Sequence, residues 1–106
     1  MKRLITARDR AGVPMQGFEA SDYVDRLSLV ANVKKDHTVP AGARWVFFSP
    51  NVNLYVNFAG NATVPGADIV DGSASVQNPG LRGISGVTTI SLIATEACAV
   101  TMEFFS

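Results

Sequence analysis

Few residues in this chain could carry chemistry, and their spacing limits what kind. His37, in "KKDHT", is the only histidine. A metal ligand needs partners of its own type, and neither a second histidine nor a cysteine pair supplies them. It reads as a solvated residue of a polar turn. Cys98 is the only cysteine, so neither an intrachain disulfide nor a multi-cysteine zinc site can form. Its apolar setting, "EACAVTMEFF", reads as that of a buried, inert thiol.

Asp68 and Asp71 in "ADIVDG" are the nearest thing to a carboxylate pair. Two carboxylates fall short of the roughly six to eight oxygens that calcium takes, and no EF-hand spacing is present, so they read as turn caps. Asp22 and Asp25, in "SDYVD", read as solvent-facing residues at a strand entrance. Ser85 in "GISGV" lacks the strand-to-helix elbow that exposes a nucleophilic serine. Gly60, Gly66 and Gly72 lead into no helix that could cradle a phosphate. The expectation is a protein that is not an enzyme, with no catalytic residue, no metal and no cofactor.

Binding surfaces are then the remaining source of function. Nine basic and nine acidic side chains give a formal net charge of zero, and the basic footprint of a nucleic-acid binder is missing. Arg26, Lys34 and Lys35 make too small a cluster, with no interleaved aromatics. No segment approaches a membrane span, and Lys2 and Arg3 are not followed by the apolar run of a signal peptide. A soluble protein made in the cytosol is expected, with no nucleic acid and no membrane as partner. A neutral chain that is 47% hydrophobic and 17% charged gains little from self-repulsion, which favours assembly.

The elements that position these side chains are strands. At 106 residues the chain makes one domain with a single modest core. In "VDRLSLVANV", Leu27, Leu29, Ala31 and Val33 alternate with Arg26, Ser28, Val30 and Asn32, the period of a strand with one buried face. "RWVFFS" is apolar at both parities and is expected to be covered on both faces. "NLYVNF" sets Leu54, Val56 and Phe58 on one face and Tyr55, between Asn53 and Asn57, on the other. Together they suggest a central hairpin within residues 39–58. "VTTISLIA" and "CAVTMEFF" alternate again and suggest a second hairpin across the short "TEA". Between residues 59 and 86 the signals weaken, with short strands expected near 68–70 and 74–77 and a turn at Asn78, Pro79 and Gly80.

The predicted core is Leu27, Leu29, Trp45, Phe47, Leu54, Val56, Ile90, Leu92, Val100, Met102 and Phe104. About seven short strands and almost no helix predict an all-β fold, a small antiparallel β-sandwich or jelly-roll-like domain over residues 24–106. Residues 1–23 lack sustained periodicity. Gly12, Pro14 and Gly17 break them, while Val13, Met15, Phe18 and Tyr23 recur as single apolar anchors. They read as an extended N-terminal arm that pins itself to a partner, or else as a tail or edge strand of the same domain. Phe105 shares the parity of Thr101 and Glu103, an outward face, and is expected as an exposed interface aromatic. The candidate protein-interface residues are Val13, Met15, Phe18, Tyr23, Tyr55 and Phe105.

In order along the chain, "HTVPAGARWVFFSPNVNLYVNF", "DGSASVQNPGLRGI" and "TISLIATEACAVTMEFF" resemble a group of small all-β virion proteins of tailed bacteriophages and prophages. The resemblance spans residues 37–105 and leaves the arm without a counterpart. It implies a structural role as a head-decoration or cement protein, found in the virion. It also implies a homo-oligomer, a trimer, bound to the major capsid protein or another virion protein. Two other readings stay open. One is a tail, neck or baseplate accessory protein. The other is a carbohydrate- or receptor-binding module using Tyr55, Asn53 and Asn57.

Overall fold

A computed structural model describes residues 1–8 and 14–106, and the side chains of residues 1–5 and 19–106. The described residues form ten strands and no helix: β1 (Thr6–Arg8), β2 (Pro14–Phe18), β3 (Tyr23–Leu29), β4 (Lys35–Thr38), β5 (Trp45–Pro50), β6 (Leu54–Asn57), β7 (Val76–Gln77), β8 (Leu81–Gly83), β9 (Thr89–Ala94) and β10 (Cys98–Phe105). β1 and β2 pair only with each other. The other eight divide into two antiparallel four-stranded sheets, ordered β3-β10-β5-β8 and β4-β9-β6-β7. From β3 onward every connection except β6 to β7 passes from one sheet to the other.

The two sheets share one core. Leu29, Val46, Phe48, Val100, Met102 and Phe104 come from the first sheet, and Leu54, Val56, Ile90, Leu92 and Ala94 from the second. In β6, β9 and β10 alternation places the inward residues as their sequence period dictates. Val100, Met102 and Phe104 are wholly buried. The all-β, sandwich-like class expected from the sequence is what forms.

Strand β5 corrects the predicted core. Val46 and Phe48 face inward, while Trp45 is 39% exposed and Phe47 only half-buried. All four residues are large and apolar, so periodicity within the strand could not choose between the two parities. Register with β10 decides it. Phe104 lies opposite Val46 and Met102 opposite Phe48, and directly opposed residues share a face.

The two expected hairpins are also corrected. β5 and β6 lie in different sheets, as do β9 and β10. Three residues, 51–53 or 95–97, reach far enough to step across the roughly 10 Å between facing sheets, so a short connection does not enforce pairing. β5 instead pairs with β10, and β6 with β9.

In the weak stretch, β7 falls within the expected 74–77, no strand forms at 68–70, and β8 was not foreseen. The turn at Asn78, Pro79 and Gly80 forms, with φ of 47° at Asn78 and 69° at Gly80. β3 ends earlier than the alternation suggests. Asn32, at φ 58°, turns the chain and leaves Val30 and Val33 exposed.

Candidate interaction surface

The first tie to be explained joins the two sheets at an open side. β3 and β4 are edge strands of different sheets, and His37 Nε2 stands 2.8 Å from Asp25 Oδ2 between them. The His37 ring lies near-parallel to Phe104, with centroids 6.1 Å apart. Lys35 adds a second tie, its Nζ donating to the Ser28 carbonyl at 3.3 Å. The reading of His37 as a solvated turn residue is therefore corrected. The polar string from Lys35 through Thr38 is an edge strand, and its histidine is a half-buried clasp. Asp25 is likewise half-buried on the inner side of β3 and not simply solvent-facing.

A second region lies where the chain's beginning meets the end of β10. Ile84 N–H donates to the Arg44 carbonyl (2.7 Å), Arg44 N–H to the Phe105 carbonyl (2.8 Å), and Ser106 N–H to the Lys2 carbonyl (2.8 Å). These bonds carry the first sheet's ladder past its last strand residues and add the first residues of the chain as a further row. Lys2 N–H donates in turn to Asp22 Oδ1 at 2.8 Å. That bond holds the Asp22 carboxyl below the usual carboxylate range. The Ser21 hydroxyl donates to the Phe104 carbonyl, and Glu19 N–H donates to the Ile5 carbonyl at 3.0 Å. Both legs of the β1–β2 hairpin are thus fixed at their root.

On the outer face of the same sheet, register aligns Val24, Glu103, Phe47 and Leu81 in one row, and Phe105, Trp45 and Gly83 in the next. The Trp45 indole covers Gly83, whose missing Cβ would stand 3.5 Å from the ring. That is ordinary contact distance, so the indole lies directly on the bare backbone and shields it. Beside Trp45 lies a groove of about 530 Å³ lined by Arg3, Leu4, Gly42, Arg44, Trp45 and Ser106.

The second sheet's outer face is covered by the glycine-rich stretch. Asn57 Oδ1 accepts from the Ala59 and Gly60 amides, at 2.9 and 2.8 Å, and so turns the chain back. Ala62 N–H then donates to Ser91 Oγ at 2.9 Å. Ala62 and Ser91 are both buried there, although Ser91 has the outward parity. Lys34 and then Ser91 hydrogen-bond Asp36 and hold its carboxyl low. Further along, Asp71 caps its own turn by accepting from the Ser73 hydroxyl and amide, which lowers its carboxyl too. Ile69 and Val70 point out of this stretch, Val70 at 94% exposure.

Of the sequence-derived interface residues, Tyr23 and Phe105 lie on paired strands of the first sheet and Tyr55 in the second. Val13 lies outside the described residues, and Met15 and Phe18 fall in β2. Tyr23 is exposed on β3, edge-on to Phe104 with centroids 6.0 Å apart. Tyr55 is half-buried in the other sheet. Its neighbours are engaged: Asn53 Oδ1 accepts from Asn78 Nδ2, and Asn57 holds the turn just described.

The exposed Phe105 expected from parity is corrected, since it is 1% exposed. Its parity is indeed opposite to Phe104, but the chain's first residues lie along the end of its strand. Cys98 is half-buried against the core rather than fully buried, and burial pushes its thiol pKa up, away from the reactive thiolate.

Sequence reasoning missed Arg3, Arg44 and the Asp25–His37 clasp. The only local signal was the adjacent pair Arg44 and Trp45, which carries no meaning until Arg3 is brought beside it. Comparison with protein families, curated proteins and solved structures finds no match to this chain.

Proposed function

We propose that this protein is a non-enzymatic virion component of a tailed phage, a capsid decoration or cement protein that stabilises the head by protein–protein contacts. We read its eight-stranded body as a jelly roll, because strand orders β3-β10-β5-β8 and β4-β9-β6-β7 with near-constant crossing between sheets are the winding of two interlocked Greek keys. Jelly rolls serve in viral shells and in lectins alike, so the fold by itself does not select the role.

The observation that carries the proposal is the N-terminal hairpin. It forms a sheet separate from the body, yet both legs are hydrogen-bonded at the root. A firmly rooted strand pair with its own open edges suits reaching to a neighbouring subunit, where backbone pairing can add to side-chain burial. The ordered sequence resemblance over residues 37–105 supports the same reading. The protein works as a homo-oligomer, a trimer, whose self-contact we place at Ile69 and Val70 now that Phe105 is accounted for within the chain. The hairpin is left for the shell protein.

Quantitative mass spectrometry of purified particles tests the proposal. The expected result is a copy number in proportion to the major shell protein. A few copies per particle would place the chain in the tail, neck or baseplate instead, and absence from particles would refute a virion role.

A further inference from the structure

The groove at the foot of the hairpin includes two arginines that nothing in the fold explains. Arg3 and Leu4 form one wall, Gly42, Arg44 and Trp45 another, with Ser106 between them. Backbone bonds through Arg44, Phe105, Ser106 and Lys2 fix these walls, and Ser106 Oγ adds a bond to the Met1 carbonyl at 3.3 Å. Both arginines are exposed, and neither has a carboxylate partner among the described residues. Trp45 exposes 39% of its surface beside them. A carboxylate at Ser106 would balance one guanidinium and leave the other.

We propose that this groove binds an acidic, extended protein segment, its carboxylates taken by Arg3 and Arg44 and an apolar side chain laid on Trp45. Guanidinium groups match carboxylates as planar, two-pronged donors, and tryptophan and arginine are the residue types in which interface energy concentrates. Two cations and one indole could also hold a stacked nucleotide. A strand of nucleic acid, however, needs a basic track, and the whole chain has zero net charge. The outer-face row adjoining Trp45 carries Glu103, which repels a long polyanion and leaves a short acidic segment as the better fit. The inference concerns the groove itself and holds wherever in a particle the protein sits.

Trp45 is the only tryptophan, so its fluorescence reports on the groove directly. The full chain is titrated with a short synthetic peptide in which glutamates flank a central leucine, with its glutamine counterpart, and with a short single-stranded oligonucleotide. The expected result is a saturable change in emission with the glutamate peptide, weakened about tenfold or more with glutamine. Added salt should weaken it, and the double variant Arg3→Gln, Arg44→Gln should abolish it. Arg26→Gln, on β3 away from the groove, should bind as the parent does.

Equal binding of the glutamine peptide, or no saturable response, overturns the proposal. So does an oligonucleotide that binds as well as the peptide. If the double variant melts unlike the parent, the salt dependence and the glutamine peptide still decide. A protein that binds the glutamate peptide but is absent from particles would refute the virion role and leave the groove intact.

Discussion

His37 Nε2 and Asp25 Oδ2, 2.8 Å apart, close the side of the molecule where two edge strands of different sheets would otherwise part. The pair is shielded by the Phe104 ring on one side, and both side chains retain some exposure, 20% for His37 and 31% for Asp25. Partial burial lifts such a contact above an ordinary surface pair without the full desolvation penalty of a buried one. A double-mutant cycle with His37→Gln and Asp25→Asn, followed by urea unfolding, is expected to give a coupling of about 0.5–1.5 kcal/mol. A coupling indistinguishable from zero would mean that the sheets are held at that edge by Phe104 and the Lys35 tie alone.

Parity in β5 can be tested by stability. Phe48→Ala removes an inward ring and should cost about 3–5 kcal/mol. Trp45→Ala removes a larger ring that is 39% exposed and should cost less than half as much. Equal losses in denaturant midpoints would place both rings in the same core and contradict the register with β10.

Acid should loosen the root of the arm. The Asp22 carboxyl is depressed chiefly because its anion accepts the Lys2 amide. A depressed carboxyl contributes stability that is fully present above the unfolded-state value and lost as pH falls through the folded one. Protection of the Lys2 amide, its exchange rate measured against the intrinsic rate at each pH, should therefore be present at neutral pH and lost at pH values below the usual carboxylate range. In Asp22→Asn that acid-dependent step should vanish. A Lys2 amide that exchanges at the same rate in both proteins at neutral pH would remove Asp22 from the account of the arm root.

Self-association is expected to run through the exposed pair Ile69 and Val70. Val70→Asp should shift the light-scattering mass from oligomer to monomer without lowering the melting temperature of the body by more than a degree or two, because Val70 contributes nothing to the core. An oligomer unchanged by this substitution would put the contact elsewhere.

The sequence was most legible where one face of a strand is apolar and the other is not. β6, β9 and β10 are of this kind, and their inward residues follow directly from a period of two. "RWVFFS" defeated the same rule because both faces are apolar, and only the partner strand fixes which face turns in. The paired connections 51–53 and 95–97 look like hairpin loops, since nothing local separates a turn within a sheet from a step between sheets. Ser91 is buried on the outward face only because residues 59–62 fold back over it, and the groove exists only because the chain's first residues lie beside its last. Such features depend on contacts across most of the chain's length, and no window of sequence contains them.

The hairpin offers the most direct test of the arm. Ile5 and Glu19 are joined by a 3.0 Å backbone hydrogen bond, so residues 6–18 can be excised and replaced by a two-residue turn of the Asn-Gly type. The ties of Lys2 to Asp22 and to Ser106 lie outside the excised residues, and among the described residues β1 and β2 pair with no other strand. The shortened protein should keep its cooperative melt, with a midpoint close to that of the parent. It should also keep its oligomeric state, which is assigned to the loop at Val70. What it should lose is retention on particles in a pull-down. The apolar residues Val13, Met15 and Phe18 each stand to contribute roughly 1.5–3 kcal/mol of burial against a partner, before about 1–2 kcal/mol per residue of ordering is subtracted. The strands' preformed pairing reduces that cost, which makes a rooted hairpin a better clasp than a free tail. A larger excision of residues 2–20 should instead lower the melting temperature, because it also removes the Lys2 carbonyl that accepts from Ser106 N–H and the Lys2 amide that donates to Asp22. If the hairpin-less protein binds particles normally, the arm is not the contact, and the groove beside Trp45 becomes the first place to look.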